Sequence, residues 1–309
     1  MTTCAHLRDL DDLLAAACAR GPVTVAVACG EDPAAIEALL AAEQAGLARG
    51  VLVGDPERIR AALGSAREVA GVDRGQPESF RIEPASSAEQ AAERAVELVR
   101  DGQAEILLKG AIPSGPILHA VLSHEHGLRR GRLLSDCFLF EHYRRLICVT
   151  DGGMNVAPDL EAKRQILLNA VELFHALGYD RPRVAVMSAV EAVLPDHAPS
   201  QDAVALSAMA WSDCIVEGPL SLDLAVSPAA AIKKHMESAV AGRADILLCP
   251  DLVSANMLAK ATTQFARARL AHVVMGATAP VLIPSRSDNA EAKLFSIALG
   301  SMVRNASRD

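Results

Sequence analysis

The sequence predicts an α/β protein built as two α/β domains with mostly parallel sheets. Short apolar runs alternate with longer Ala/Leu-rich helical patterns from one end of the chain to the other. Those short runs show little polar alternation, which marks strands covered by helices on both faces. The chain has 309 residues, 51% hydrophobic and 22% charged. At ~100–200 residues per domain that is one large or two medium domains, and it is too apolar for disorder.

The first strand is Val23 to Cys29 (VTVAVAC), followed by an amphipathic helix from Pro33 to Ala48 with Pro in its first turn. Val51 to Val53 and Ile106 to Lys109 are two further strands, and the helical pattern of Ala88 to Arg100 precedes the second. Ile147 to Thr150, Val184 to Ser188, Cys214 to Gly218, Ile246 to Cys249, Leu270 to Gly276 and Val281 to Ile283 continue the series. The polar cluster Glu141 to Arg145 offers a domain boundary near Leu146, giving domains of 1–146 and 147–284. A ligand is then expected in the cleft between two similar halves, beyond the carboxyl ends of the strands.

Charge and motif content exclude several classes. Lys and Arg total 30 against 38 Asp and Glu, a net charge of −8, with one Trp, two Tyr and six Phe. Such a chain lacks the basic footprint and stacking platforms of a nucleic-acid binder. No apolar run approaches the ~18 residues needed to cross a bilayer. Acids in the first dozen residues replace the basic and apolar regions of a signal peptide, so a cytoplasmic location is expected. The seven cysteines (Cys4, Cys18, Cys29, Cys137, Cys148, Cys214, Cys249) form no CxxC pair and read as structural thiols. After the first strand stands Cys29–Gly30–Glu31–Asp32, which lacks GxGxxG and repels a pyrophosphate; Walker A and GxSxG are also absent. His124–Glu125–His126 has no third ligand nearby and reads as a solvated turn.

Three segments have the character of anion sites. Pro280 to Pro284 ends a strand, and a helix is expected from about Ser287 or Asp288, with Glu291 completing a capping box. Ser285 and Arg286 at that helix mouth supply a hydroxyl and a bidentate guanidinium for phosphate. Thr150–Asp151–Gly152–Gly153–Met154–Asn155 places two glycines after a strand, where backbone can approach a ligand closely, with a long helix from Pro158 and Asp159 to Leu177. Lys109–Gly110–Ala111–Ile112–Pro113–Ser114 delivers a Lys into a loop and a Ser to the next helix start. Each reads equally as a turn or cap; three in one chain point to a phosphorylated substrate.

These residues resemble the phosphate acetyl/butyryltransferases, closer to the butyryl branch. The resemblance runs nearly end to end. It takes in GDPERI (Gly54 to Ile59), LLKGAI (Leu107 to Ile112), GLRRGRLLSD (Gly127 to Asp136), TDGGMNVAPDLEAK (Thr150 to Lys163), SAVE (Ser188 to Glu191) and EGPLSLDLAVS (Glu217 to Ser227). AGRADILLCPDLVSANMLAK (Ala241 to Lys260), GATAPVLIPSRSD (Gly276 to Asp288) and EAKLFSIAL (Glu291 to Leu299) complete it. The resemblance implies two α/β domains of isocitrate/isopropylmalate dehydrogenase-like fold, a C-terminal helix over about 285–309 returning to the first domain, and a homodimer. It implies that Ser285 and Arg286 handle the acyl phosphate, and that Asp151, Asn155, Ser188, Asn256 and Lys260 line the cleft. Departures stand at Pro113–Ser114, where relatives carry Asn-Thr or His-Thr, at His119 for an Arg, and at Ala255 and Ala259. At Ala292 the acetyl branch has its catalytic-base Asp, leaving Asp288 and Glu291 as nearby carboxylates.

The implied reaction is acyl-CoA + phosphate ⇌ acyl phosphate + CoA, with coenzyme A as substrate and no cofactor or metal. In reverse, the CoA thiol attacks the acyl-phosphate carbonyl. A thiol of pKa ~8.5 needs only a modest base, a role open to Asp288 or Glu291. Ser285 suits the oxyanion and Arg286 the leaving phosphate. The other readings are a phosphate acetyltransferase, a non-catalytic CoA-binding homologue, and a metal-dependent hydroxyacid dehydrogenase. The last would need an aspartate cluster and a nucleotide loop that the sequence does not show.

Overall fold

A computed structural model describes residues 6–70 and 80–304; Cys4 and the end of the expected C-terminal helix lie outside them. In chain order the elements are α1 (Leu10–Ala19), β1 (Val23–Ala28), α2 (Pro33–Gln44), β2 (Ala48–Gly54), α3 (Pro56–Ala70), β3 (Arg81–Pro84), α4 (Ala88–Arg100), β4 (Ile106–Lys109) and α5 (Ser114–Leu122). Next come β5 (Ser135–Glu141), β6 (Leu146–Thr150), α6 (Leu160–Ala176), β7 (Arg183–Met187), α7 (Ala198–Ser207), β8 (Ile215–Leu220), α8 (Leu222–Val226) and α9 (Pro228–Lys233). The chain ends with β9 (Ile246–Leu248), α10 (Leu252–Gln264), β10 (Leu270–Met275), β11 (Val281–Leu282) and α11 (Ala290–Val303).

The fold is mixed α/β with mostly parallel strands, and the chain divides into two compact units. One comprises Asp11–Arg132 with Ala271–Asp309, the other Met1–Leu10 with Leu133–Leu270. In the first unit the strands run β3-β2-β1-β4-β11-β10. All neighbours there are parallel except β10, which is antiparallel to β11. In the second the order is β5-β6-β9-β7-β8, parallel except for the β5–β6 hairpin. Every residue of β4, β6 and β9 is buried, as strands covered on both faces must be. In the first unit α2 packs on α3 and α11, and α4 packs on β1 and α5; in the second, α6 covers β5, β6 and β9 while α7 covers β7 and β8.

The unit boundaries differ from those expected at 146 and near 285, for identifiable reasons. Glu141 to Arg145 is no linker but the tight turn of the β5–β6 hairpin, with His142 and Arg145 exchanging backbone bonds of 2.9 and 3.1 Å. Tyr143 and Arg144 both take positive φ, 46° and 57°, the primed-turn geometry that sequences usually mark with Asn-Gly or Asp-Gly. Strand β11 pairs with β4 at Val281↔Leu107 and Leu282↔Leu108, so residues 271–284 go with the first unit along with the helix.

Close backbone approach fixes the loop after β4. Gly110 donates to the Ala28 carbonyl at 2.9 Å, and a Cβ placed on it would stand 2.2 Å from the Cys29 carbonyl oxygen. Backbone, unlike a flexible side chain, cannot move aside cheaply. Gly110→Ala should therefore lose about 1–3 kcal/mol of stability or more, read from the urea midpoint at unchanged slope; a midpoint equal to wild type would show that the loop can relax.

Candidate functional site

Each unit carries one set of the predicted residues at the carboxyl edge of its own strands. In the first, β4 and β11 run parallel and deliver Lys109 and the segment Ser285–Asp288 to the same edge. Lys109 is buried, and its ammonium donates to the Ile112 carbonyl at 3.2 Å. Ser285 to Asp288 forms a turn of its own: the Ser285 amide donates to Asp288 Oδ2 at 2.8 Å, and the Asp288 amide returns to the Ser285 carbonyl at 3.1 Å. Ser285 Oγ lies 3.0 Å from Ser287 Oγ, and Arg286 is exposed at the tip. His272 Nε2 stands 3.6 Å from Asp288 Oδ2.

Here the sequence reading needs correction. Helix α11 begins at Ala290, capped by the Asn289 side chain accepting from the Ala292 amide at 2.9 Å. Asp288 is spent on the turn instead of the cap, and Glu291 sits exposed in the helix's first turn, outside a capping box. Ser285 and Arg286 thus precede the helix by a full turn of chain. Ser114 opens α5 and is exposed, with Pro113 before it making no side-chain cap.

Charge around Lys109 is distinctive. Burial, and after it the neighbouring Lys293 ammonium, hold the Lys109 amine below its ordinary value; Arg286 adds to the effect, while Asp32 and Asp288 oppose it. Lys293 is itself buried in α11 and donates to the Asp288 carbonyl at 3.0 Å. Reading the sequence missed Lys293. The signal available was a lysine at the head of the apolar run Leu294 to Val303, where α11 is otherwise almost wholly buried.

In the second unit the carboxyl ends of β6, β7 and β9 gather Asp151, Asn155, Ser188 and Asn256 at one edge. Asp151 is buried, and its carboxylate accepts from the amides of Asp136 (3.1 Å), Gly153 (3.0 Å), Met154 (3.1 Å) and Asn155 (2.9 Å), and from Asn155 Nδ2 (2.5 Å). The same Nδ2 reaches the Leu134 carbonyl at 2.8 Å. Burial and the Asp136 charge push the Asp151 carboxyl above the usual aspartate value, against the pull of those donors. Asn256 Nδ2 donates to the Gly152 carbonyl at 2.9 Å, and the Gly152 position faces the α10 backbone so closely that a Cβ would meet the Asn256 nitrogen at 3.3 Å. Ser188 is buried and accepts from the Val190 amide at 3.3 Å. Asp151, Asn155 and Asn256 therefore shape the Gly152–Gly153 turn, while Lys260, one turn beyond Asn256 on α10, is exposed. Ala255 and Ala259 are the buried residues of that helix.

The remaining candidates fall elsewhere. His119 lines a cavity of about 540 Å³ with Arg94, Arg100, Ser123 and His126, and Ala292 is buried under the first turn of α11. His124 and His126 are exposed and contact Arg129 (2.6 Å) and Arg100 (3.4 Å), as solvated turn residues do. Burial raises the thiols of Cys29 to about 11 and of Cys214 and Cys249 to about 12, leaving them poor nucleophiles at neutral pH. Among the described residues no three His, Cys, Asp or Glu side chains converge on a metal position, and no helix is long and apolar enough to cross a membrane.

Comparison with known proteins follows the same residues. The family described as Phosphate acetyl/butaryl transferase matches residues 81–301. A probable phosphate butyryltransferase of Bacillus subtilis (strain 168) is 40% identical over 296 residues, 94% of this chain and 96% of its own. A phosphate acetyltransferase of Rhizobium meliloti is 37% identical over 298 residues, 94% and 92%. Among solved structures, a branched-chain phosphotransacylase from Enterococcus faecalis V583 aligns with TM-score 0.79 at 30% identity, covering 92% of this chain and 99% of that one.

The two sets differ in how a substitution should read out. Asp151→Ala orphans five donors and should lower unfolding free energy by about 3 kcal/mol or more. Exposed Lys260→Ala should stay within about 0.5 kcal/mol of wild type. Denaturant titration of both variants checks the pair; an Asp151→Ala protein as stable as wild type would remove the carboxylate from its structural role.

Proposed function

Since the chain belongs to the phosphate acetyl/butyryl transferase family and moves an acyl group between coenzyme A and phosphate, we propose that it prefers short acyl groups longer than acetyl and works through the Ser285–Asp288 turn. The observation that carries the site is the exposed Arg286 beside Ser285, on a turn held at the strand edge next to buried Lys109. In the direction of acyl-CoA synthesis, the thiol sulfur bonds to the acyl carbonyl carbon, the carbonyl oxygen takes up negative charge, and the carbon–oxygen bond to phosphate breaks. The thiol proton passes to a carboxylate, for which Asp288 and Glu291 are the candidates. Ser285 Oγ donates to the oxyanion, and Arg286 binds the leaving phosphate through two N–H groups. Direct transfer between two substrates held side by side gains from proximity and needs no acyl-enzyme. The resemblance supports a homodimer.

The preference for butyryl over acetyl rests on the SRSD and TDGGMN text. Identity alone does not decide it, because the butyryl and acetyl relatives stand at 40% and 37%. Each fully buried methylene contributes up to ~0.8 kcal/mol, so two favour butyryl-CoA by roughly tenfold in kcat/KM. The measurement is phosphate-dependent CoA release from acetyl-, propionyl-, butyryl- and isobutyryl-CoA at saturating phosphate. A clear acetyl preference would assign the chain to the acetyl branch, and no release with any of the four would leave a non-catalytic CoA binder.

Arg286→Ala should lose at least about a hundredfold in kcat/KM while remaining folded, since the side chain is exposed. Arg286→Lys should rescue it poorly, because a point charge does not reproduce a bidentate grip. Near-wild-type turnover in a folded Arg286→Ala enzyme would remove the residue from the mechanism. Exhaustive chelation should leave the rate unchanged, and loss restored by one divalent ion would contradict a mechanism of proton transfer and anion binding alone.

A further inference from the structure

Among the described residues three lysines are buried: Lys109, Lys163 and Lys293. They are not alike. Lys163 has the Asp202 carboxylate at 2.6 Å, whereas the ammonium groups of Lys109 and Lys293 touch only main-chain carbonyls, of Ile112 at 3.2 Å and of Asp288 at 3.0 Å. A buried ammonium with no carboxylate at ion-pair distance is costly to fold, and each has three donors of which one is used. Two such groups occur together. Lys109 follows Leu108, which pairs in register with Leu282 three residues before Ser285, and Lys293 is anchored on the carbonyl of Asp288 at the far end of the same turn.

We infer that Lys109 and Lys293 form a cationic seat for the phosphate group that the enzyme transfers, with Arg286 as its exposed third member, so that Lys293 is a substrate-contacting residue. This rests on the acyl-transfer reading above. A phosphate dianion is the counter-ion that two unpaired ammonium groups and a guanidinium call for, and it brings enough acceptor oxygens for the unused donors. Its small size suits groups that are themselves buried. Burial first, and then the Lys293 charge, lowers the Lys109 amine; a bound anion would relieve that repulsion, and such strain is tolerated where it serves binding.

The test uses the full-length enzyme with Lys293→Met and Lys109→Met, both unbranched and uncharged. Thermal midpoints are read with and without inorganic phosphate, and KM is measured separately for phosphate and for acyl-CoA. Without phosphate each variant should melt at or above the wild-type temperature, because a buried charge has been removed. Added phosphate should stabilise wild type and have little effect on either variant. KM for phosphate should rise about tenfold to a hundredfold, the loss expected for a hydrogen bond to a charged group. KM for acyl-CoA should stay within about twofold. Lys293→Gln, which keeps a donor for the Asp288 carbonyl while losing the charge, provides the same reading if methionine is not accommodated. An unchanged phosphate response with a lowered midpoint would make Lys293 a structural tether and overturn the inference. A rise confined to KM for acyl-CoA would place the lysines against the phosphates of coenzyme A and also overturn it. If wild type releases no CoA with any acyl donor, the acyl-transfer reading fails, and the phosphate-dependent midpoints still decide whether the seat exists.

Discussion

Val281 and Leu282 are the whole of β11, yet the first unit's candidate site depends on where they pair. Their register with Leu107 and Leu108, backed by the Leu107 amide donating to Pro280 at 3.0 Å, inserts a late segment of the chain beside β4. That insertion is what brings Lys109 and Ser285 to the same edge of the sheet. Two residues of ladder are too few to hold a strand in place, and the stabilisation comes from the helix that follows. From Phe295 to Val303 every residue of α11 is buried. Gly300 lets the helix close on β4 and β11, where even a Cβ would meet Ile106 Cδ1 at 3.1 Å. Burying large apolar side chains at ~1.5–3 kcal/mol each pins α11, and α11 in turn fixes the turn that precedes it.

Buried charge separates positioning residues from candidate ligand contacts. Asp151 is ionisable and buried, and five donors surround it, so its work is finished inside the protein. Lys163 is likewise completed by Asp202. Lys109 and Lys293 are completed by one carbonyl each, with no carboxylate among the described residues at ion-pair distance from either. Asp151 and Lys109 both stand at strand ends in recognisable motifs, and a motif alone cannot distinguish them. The difference lies in the partner count.

Most strands were legible because they are apolar runs buried on both faces: Ile106 to Lys109 coincides with β4, and Val23 to Cys29 exceeds β1 by one residue. What escaped was structure whose pattern is weak or whose partners are distant in sequence. Strand β5 was overlooked, and Tyr143–Arg144 turned the hairpin without a glycine. Strand β3 reads Arg-Ile-Glu-Pro and is only partly covered, so it shows no apolar run. At α11 a Ser-Arg-Ser-Asp-Asn string offers several capping residues in a row, and Asn289 takes the cap while Asp288 accepts from the Ser285 amide. The family was legible in the motifs themselves, whereas the role of Asp151 and the presence of Lys293 depended on contacts that no spacing encodes.

Displacing the helix start from Ser287 to Ala290 alters how phosphate recognition has to work. An anion gripped at a helix N-terminus is held by backbone N–H groups, which are fixed and sequence-independent. Here the Asn289 side chain occupies the Ala292 amide, and the Ser285–Asp288 turn stands between the helix and the strand. On the function proposed above, recognition falls to side chains: the Ser285 hydroxyl, the Arg286 guanidinium and the two buried ammonium groups. Side-chain cations concentrate charge where the bond to phosphate breaks, and a preorganised positive environment stabilises a leaving group more as its charge grows. Holding two lysines buried before substrate arrives costs folding stability. It also means that little solvent has to reorganise around them when the phosphate departs.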